Sequence, residues 1–310
     1  MRARLSLAMF ANPGLALALA LGLQGAAFAE PRVDIVATGV QFGEGTVFVG
    51  DTLHFVDYAA SSVYRLDGKR KTALWHLDGC GANGLVPVAD GLLVACYDSG
   101  MLQLIGLDGK TRRTIARDGT GSTFDRPNDL ARDPSGGVYF TASGGDNGTP
   151  GKVYHVANLA TGDAVPRQVA SAIQNANGVA VSPDGKLLYI GESTTDKVLR
   201  FDIAGDGSLS NRRDFLALDT ALTATPGRHT PDGIRTDKQG RLFVSLYNGG
   251  GFAVFDTAGR LLADVSIPGD HHASLALSPD EKYVFGTIAA SPTGAEPSGA
   301  IYRIPNPVMK

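Results

Sequence analysis

Short apolar runs recur along this chain, rich in β-branched residues and each bounded by polar turns. LLVAC, GVYFT, LLYIG and RLFVS are four such runs, at or just after Gly91, Gly136, Gly185 and Gly240. Turn signals stand between neighbouring runs: Ala89-Asp90-Gly91, Pro134-Ser135-Gly136, Pro183-Asp184-Gly185, Lys238-Gln239-Gly240 and Pro279-Asp280-Glu281. This is hairpin chemistry. A second hairpin usually follows, as in VYRLDGKRKTALWHL and FAVFDTAGRLLADVSIP, so each unit is predicted to hold four strands. No helical apolar period persists after residue 30.

Equivalent positions lie 39 residues apart from Glu44 to Asn83, then 45, 49 and 55 apart to Asp232, and a last unit spans about 271–305. A four-stranded unit repeating at this period predicts an all-β fold, a six-bladed β-propeller. Residues 33–39 precede the first full unit. They are expected to pair with Ile301-Tyr302-Arg303-Ile304 as the outer strand of blade six, which closes the ring and removes two exposed edges. A β-sandwich lacks the period, and a seventh blade has no room.

The N-terminus changes the picture. Arg2 and Arg4 precede an Ala/Leu-rich stretch over 15–23, and Ala27-Phe28-Ala29 follows. This is the pattern of a secretory signal peptide cut after Ala29. The apolar run is shorter than the roughly 20 residues a membrane span needs, and no cysteine near the cut suggests a lipid anchor. Residues 30–310 are expected to form one domain, monomeric, periplasmic or secreted, with no membrane anchor after cleavage. The formal charge of −3, without a basic run, leaves no electrostatic footprint for nucleic acid. Cys80 and Cys96 are either a disulfide, which an oxidising compartment permits, or two buried thiols. Their spacing resembles no zinc pattern.

The repeat also carries chemistry. In a propeller the first strand of each blade lines the central channel, so residues opening those strands gather at one mouth. Glu44, Asn83, Asn128, Asn177 and Asp232 hold that position, and the blade-six equivalent is Ala273, preceded by His271 and His272. A lone Asn-Gly is commonly a hairpin turn. Here the turn glycine already lies eight residues downstream, so a second turn is not required. Carboxylate and amide oxygens are hard ligands for a divalent cation, with calcium expected first and magnesium, manganese or zinc as alternatives. Such an ion polarises a carbonyl and activates water. His229, His271 and His272 precede first strands and are candidates for acid/base or substrate contact at the same mouth; the alternative is a loop histidine without chemistry. His54, His76 and His155 sit in or beside strand runs and read as structural.

Three segments carry a family resemblance: Arg126-Pro-Asn-Asp129 with DPSGGVYFT, Ala176-Asn-Gly178 with SPDGKLLYIGES, and Pro231-Asp-Gly233 with KQGRLFVS. With FGEGTVFVGDTLHFVDYAASSVYRLD and Ala82-Asn83-Gly84, the chain resembles the senescence marker protein/gluconolactonase/luciferin-regenerating family over about 34–305. The resemblance implies six blades, one catalytic divalent metal, often calcium, and hydrolysis of sugar lactones. It further implies Glu44, Asn177 and Asp232 as metal ligands, with Asp232 also catalytic. Asn128 would be a fourth ligand or reach the metal through substrate or water. Arg126 matches a substrate-binding arginine, and Asn83 a position near the pocket. His229 and His272 are added here as substrate-binding candidates. The chain departs from the family at Thr46, where proline is usual, at Ala142, where an aspartate is frequent, and at His271-His272-Ala273-Ser274 in blade six. The function expected is an exported, metal-dependent lactonase acting on a small molecule. The alternatives are a ligand- or partner-binding propeller without catalysis, and a metal-dependent phosphoesterase similar to diisopropyl fluorophosphatase.

Overall fold

The computed structural model describes residues 32–145, 148–159, 164–224, 227–269, 271–289 and 299–309. The segment expected to be a signal peptide lies outside the described residues. Six four-stranded antiparallel sheets form the six blades of a propeller. Five are built from consecutive strands, with inner strands Gly43–Val49, Ala82–Val88, Pro127–Arg132, Ala176–Val181 and Pro231–Thr236. The sixth has inner strand Leu275–Leu277, then Tyr283–Ile288 and Ala300–Pro305, and takes its outer strand, Asp34–Thr38, from the other end of the chain. Asp34 faces Arg303 across that closure and is ion-paired with it at 2.7 Å.

The hydrophobic pattern follows from this layout. The second strand of a blade is sandwiched between neighbouring blades, so Gly91–Cys96 and Leu187–Glu192 are buried along nearly their whole length. The outer strand meets solvent: in Arg70–His76 only Trp75 is buried. The core is accordingly divided into six apolar clusters, each joining one blade to the next around the ring. The turn glycines Gly91, Gly136, Gly185 and Gly240 all have positive φ, which explains why glycine recurs there.

The Asx-Gly pairs are not turns. In blades two to five the pairing between the first two strands skips from Ala82 to Leu85, Pro127 to Leu130, Ala176 to Val179 and Pro231 to Ile234. In blade one the skip falls one residue later, from Glu44 to Val47. Each is a β-bulge: in blades two to five it contains the Asn or Asp side chain and re-aims it, and in blade one it directly follows Glu44. The glycine beside it is needed for a different reason. A Cβ on Gly84 would stand 2.1 Å from the Asn128 carbonyl oxygen, and one on Gly178 2.1 Å from that of Asp232. Glycine there lets the bulge of one blade lie against the backbone of the next.

Cys80 and Cys96 form a disulfide, 16 residues apart in sequence and fully buried in the cluster between blades one and two. Cys80 precedes the inner strand of blade two and Cys96 ends its partner. A loop of this size stabilises by about 3 kcal/mol in the chain-entropy account. Reduction is expected to lower Tm by roughly 5–10 °C, read as paired thermal melts with and without reductant.

Candidate functional site

The inner strands of five blades deliver their opening side chains to one place. Glu44, Asn83, Asn128, Asn177 and Asp232 all line a cavity of about 350 Å³ at one end of the channel. Blade six contributes no oxygen side chain at this position, because Ala273 stands there, fully buried, with its carbonyl accepting the Gly233 N–H at 2.7 Å.

The amides are held in fixed orientations. Asn83 Nδ2 donates to Asn128 Oδ1 at 2.9 Å, Asn128 Nδ2 donates to Ser143 Oγ at 3.0 Å, and Ser143 Oγ donates to the Ala176 carbonyl at 3.0 Å. Asn177 donates to the Asp232 carboxylate, while its own Oδ1 is buried without a hydrogen-bond partner. A bare buried acceptor costs about 1–3 kcal/mol. Burial pushes the Glu44 carboxyl well above its ordinary range, and the charges of Asp232 and Asp129 push it further, against Arg235. Burial and the Asp129 charge likewise raise Asp232. Among the described residues no group of three or more His, Cys, Asp or Glu could hold a metal. The donor set here is instead two carboxylates and amide oxygens. An orphaned oxygen in a cavity shared with two buried carboxylates fits a hard divalent cation, which satisfies the oxygen and cancels the repulsion in one step.

A second ring surrounds the first. In every blade the residue just after the second strand donates its N–H to the carbonyl of the residue two before the ring position: Tyr58 to Phe42 at 2.8 Å, Tyr97 to Gly81 at 3.0 Å, Ser143 to Arg126 at 2.9 Å, Ser193 to Asn175 at 3.1 Å, Tyr247 to Thr230 at 2.9 Å and Ala289 to His271 at 2.8 Å. This shared bond makes the six positions equivalent and shows how unlike they are. Blades five, one and two present tyrosines; blades three and four present serines. Phe42 lies between Tyr58 and Tyr247, with ring centroids 5.7 and 6.2 Å away, and Tyr97 continues the arc 6.0 Å from Tyr58. The serine hydroxyls turn instead to the backbone of the next blade, Ser193 Oγ donating to the Pro231 carbonyl at 2.7 Å. The cavity therefore has an aromatic wall over Asp232, Glu44 and Asn83, and a notch over Asn128 and Asn177.

Arg126, expected to bind substrate, does not itself line the cavity; its guanidinium lies 5.5 Å from the ring centroid of Tyr97, which does. Its φ of +59° puts a non-glycine residue in the left-handed region, a conformation that costs about 1–3 kcal/mol and concentrates at functional sites. His271 stacks on Tyr247 at 4.4 Å. His229 and His272 do not line the cavity. His229 is buried with Nδ1 3.0 Å from Asp219 Oδ1, and His272 is fully buried with Nε2 3.3 Å from the Gly269 carbonyl. Asp129 is also outside the lining, its carboxylate paired with Arg235 at 2.7 Å. The tyrosines and Phe42 were not anticipated from the sequence. Aligning the ends of the second strands finds the tyrosines, since each directly follows its apolar run.

Residues 42–290 match a family model described as the SMP-30/Gluconolactonase/LRE-like region. The lactonase drp35 of Staphylococcus haemolyticus strain JCSC1435 is 28% identical over 279 residues, covering 84% of this chain and 79% of that protein. Among solved structures, a luciferin-regenerating enzyme superposes with a TM-score of 0.73 at 23% identity, covering 89% of this chain and 95% of the other. A gluconolactonase of Xanthomonas campestris superposes with a TM-score of 0.71 at 20% identity, covering 89% and 90%.

Proposed function

This chain belongs to the SMP-30/gluconolactonase/LRE-like family, and from that membership we propose that it is a lactone hydrolase dependent on a divalent cation. Calcium is the ion proposed, held by Glu44, Asn177 and Asp232, with Asn128 beside them. The observation that carries the cation reading is the Asn177 Oδ1, buried and unpartnered in a cavity it shares with two carboxylates that burial pushes up. The lactonase and gluconolactonase relatives support the reaction class.

A bound cation supplies Lewis acidity toward the lactone carbonyl and lowers the pKa of water. The chain's own groups do the rest. Asp232 accepts the proton of the attacking water as general base and returns it to the ring oxygen as the lactone C–O bond breaks. The Asn83–Asn128–Ser143 chain keeps the Asn128 amide from rotating as charge develops. Arg126 brings positive charge to the mouth for the developing oxyanion. The tyrosine arc takes the ring face of the substrate and sheds water from it. Export is part of the same proposal and rests on the sequence of residues 2–29.

The test is hydrolysis of a panel of γ- and δ-lactones beside phosphotriesters, in calcium and in chelator. Lactone turnover that chelator abolishes and calcium restores is expected. Full turnover in chelated protein overturns the cation reading. Phosphotriester turnover exceeding that of every lactone replaces the substrate class. No turnover, with a tight small-molecule ligand seen by calorimetry, replaces the enzyme with a binding propeller.

A further inference from the structure

Below the oxygen ring, one ion pair joins three blades. Asp129 directly follows Asn128, at the place where blades one, two, four and five carry Gly45, Gly84, Gly178 and Gly233. Its carboxylate accepts four hydrogen bonds: from Leu130 N at 2.9 Å, Val179 N at 3.1 Å, Arg235 Nη1 at 2.7 Å and Arg235 Nη2 at 3.2 Å. Val179 lies two residues past Asn177 on blade four, and Arg235 three past Asp232 on blade five. One carboxylate thus ties together the strands that bear Asn128, Asn177 and Asp232. Arg235 Nη1 also donates to its own strand at the Ile234 carbonyl, 2.7 Å away.

The pair has a direction. Arg235 lines a second cavity of about 380 Å³, walled by the far halves of the same inner strands, whereas Asp129 lines neither cavity. The side chain of Asp129 is 7% exposed and that of Arg235 18%. The carboxylate lies inward, one residue from the oxygen ring, and the guanidinium faces the other end of the channel. Ring stability alone does not require such a pair, because well-packed apolar residues replace buried ion pairs at little or no cost. Among the described residues, no other ion pair joins the inner strands at this level.

We infer that Asp129 and Arg235 are a positioning pair that sets cation affinity: Asp129 aligns the three ligand-bearing strands and places negative charge beneath the site, and Arg235 cancels most of that charge. This rests on the cation site proposed above. The charges act in opposite senses on a cation above them, so removing each partner separates electrostatic setting from simple scaffolding.

The experiment measures calcium Kd by calorimetry on chelator-stripped protein, with Tm in chelator, for the parent, Asp129→Asn, Arg235→Met, Arg235→Lys and the Asp129→Asn/Arg235→Met double variant. Asp129→Asn is expected to weaken calcium about tenfold or more, and Arg235→Met to tighten it several-fold, although both lower Tm. Arg235→Lys, which keeps the charge, and the double variant, which removes both charges, are expected within about threefold of the parent. If Arg235→Met does not fold, Asp129→Asn and Arg235→Lys decide the matter. Weakening of similar size in both, or in neither, overturns the inference, as does a shift in the same direction for Asp129→Asn and Arg235→Met. A parent protein that binds no calcium overturns the cation site itself, a result separate from any pattern among the variants.

Discussion

Asp232→Asn and Glu44→Gln are each expected to reduce kcat/KM for lactone hydrolysis by about 10²–10⁴-fold in excess calcium. Both changes are nearly isosteric, so loss of packing does not account for a loss of that size. Each removes one negative charge from a buried site, and Asp232→Asn also removes the proton acceptor. Stability should move the other way. Glu44 and Asp232 are buried and repel each other when no cation lies between them. Either substitution is expected to raise Tm in chelator while activity falls, the trade expected of a site organised for chemistry rather than for the fold. Steady-state kinetics and melts of the same preparations test both halves. More than a tenth of parental activity in either variant excludes that residue from the role given it.

The stabilisation conferred by calcium is expected to grow with pH. Folding raises the pKa of both carboxyls, burial being the first cause in each case. Their unfolded values are about 3.9 and 4.3. A group whose folded pKa is raised contributes stability below its unfolded value and loses that contribution as pH rises through the folded one. In chelator, Tm should therefore fall as pH is raised above the unfolded values, until each group ionises in the fold. Calcium selects the ionised carboxylates, so it removes the penalty and displaces protons on binding. The gap between Tm with calcium and Tm in chelator should widen steadily with pH. At saturating calcium, about a thousand times Kd, the added stability is about 4 kcal/mol. A gap independent of pH, or calcium binding without proton release across buffers of different ionisation enthalpy, contradicts this account.

The blades were legible because their determinants are local. Turn glycines with positive φ and short buried strands repeat at a readable interval, and the pairing of 34–38 with the last strand follows from the need to close the ring. The oxygen ring was legible because a bulge puts its side chain at a fixed offset from the next turn. What escaped was whatever depends on contact between blades. Tyr58, Tyr97 and Tyr247 wall the cavity only because three blades meet there, and each reads alone as an ordinary strand-end aromatic. The Asp129–Arg235 pair spans 106 residues, and no local pattern announces it. His229 and His272 show the opposite failure. Position before an inner strand predicts position at the mouth, but Asp219 draws one ring aside and Tyr302 packs edge-on against the other at 5.7 Å. His271, at the offset equivalent to Phe42 and Arg126, is the member of the group that stacks on a cavity residue.

Ring closure also governs how this chain reaches its native state. Asp34 and Arg303 are 269 residues apart, and five blades can pair locally before that contact exists. The sixth cannot: its outer strand precedes the other five blades in the chain and its remaining strands follow them. Contacts of such sequence separation are slow to form. Refolding should show a late phase in which five blades are protected from hydrogen exchange and the strands of blade six are not. During that interval Asp34–Thr38 and Ala300–Pro305 are open edges, and association between partly closed rings competes with completion.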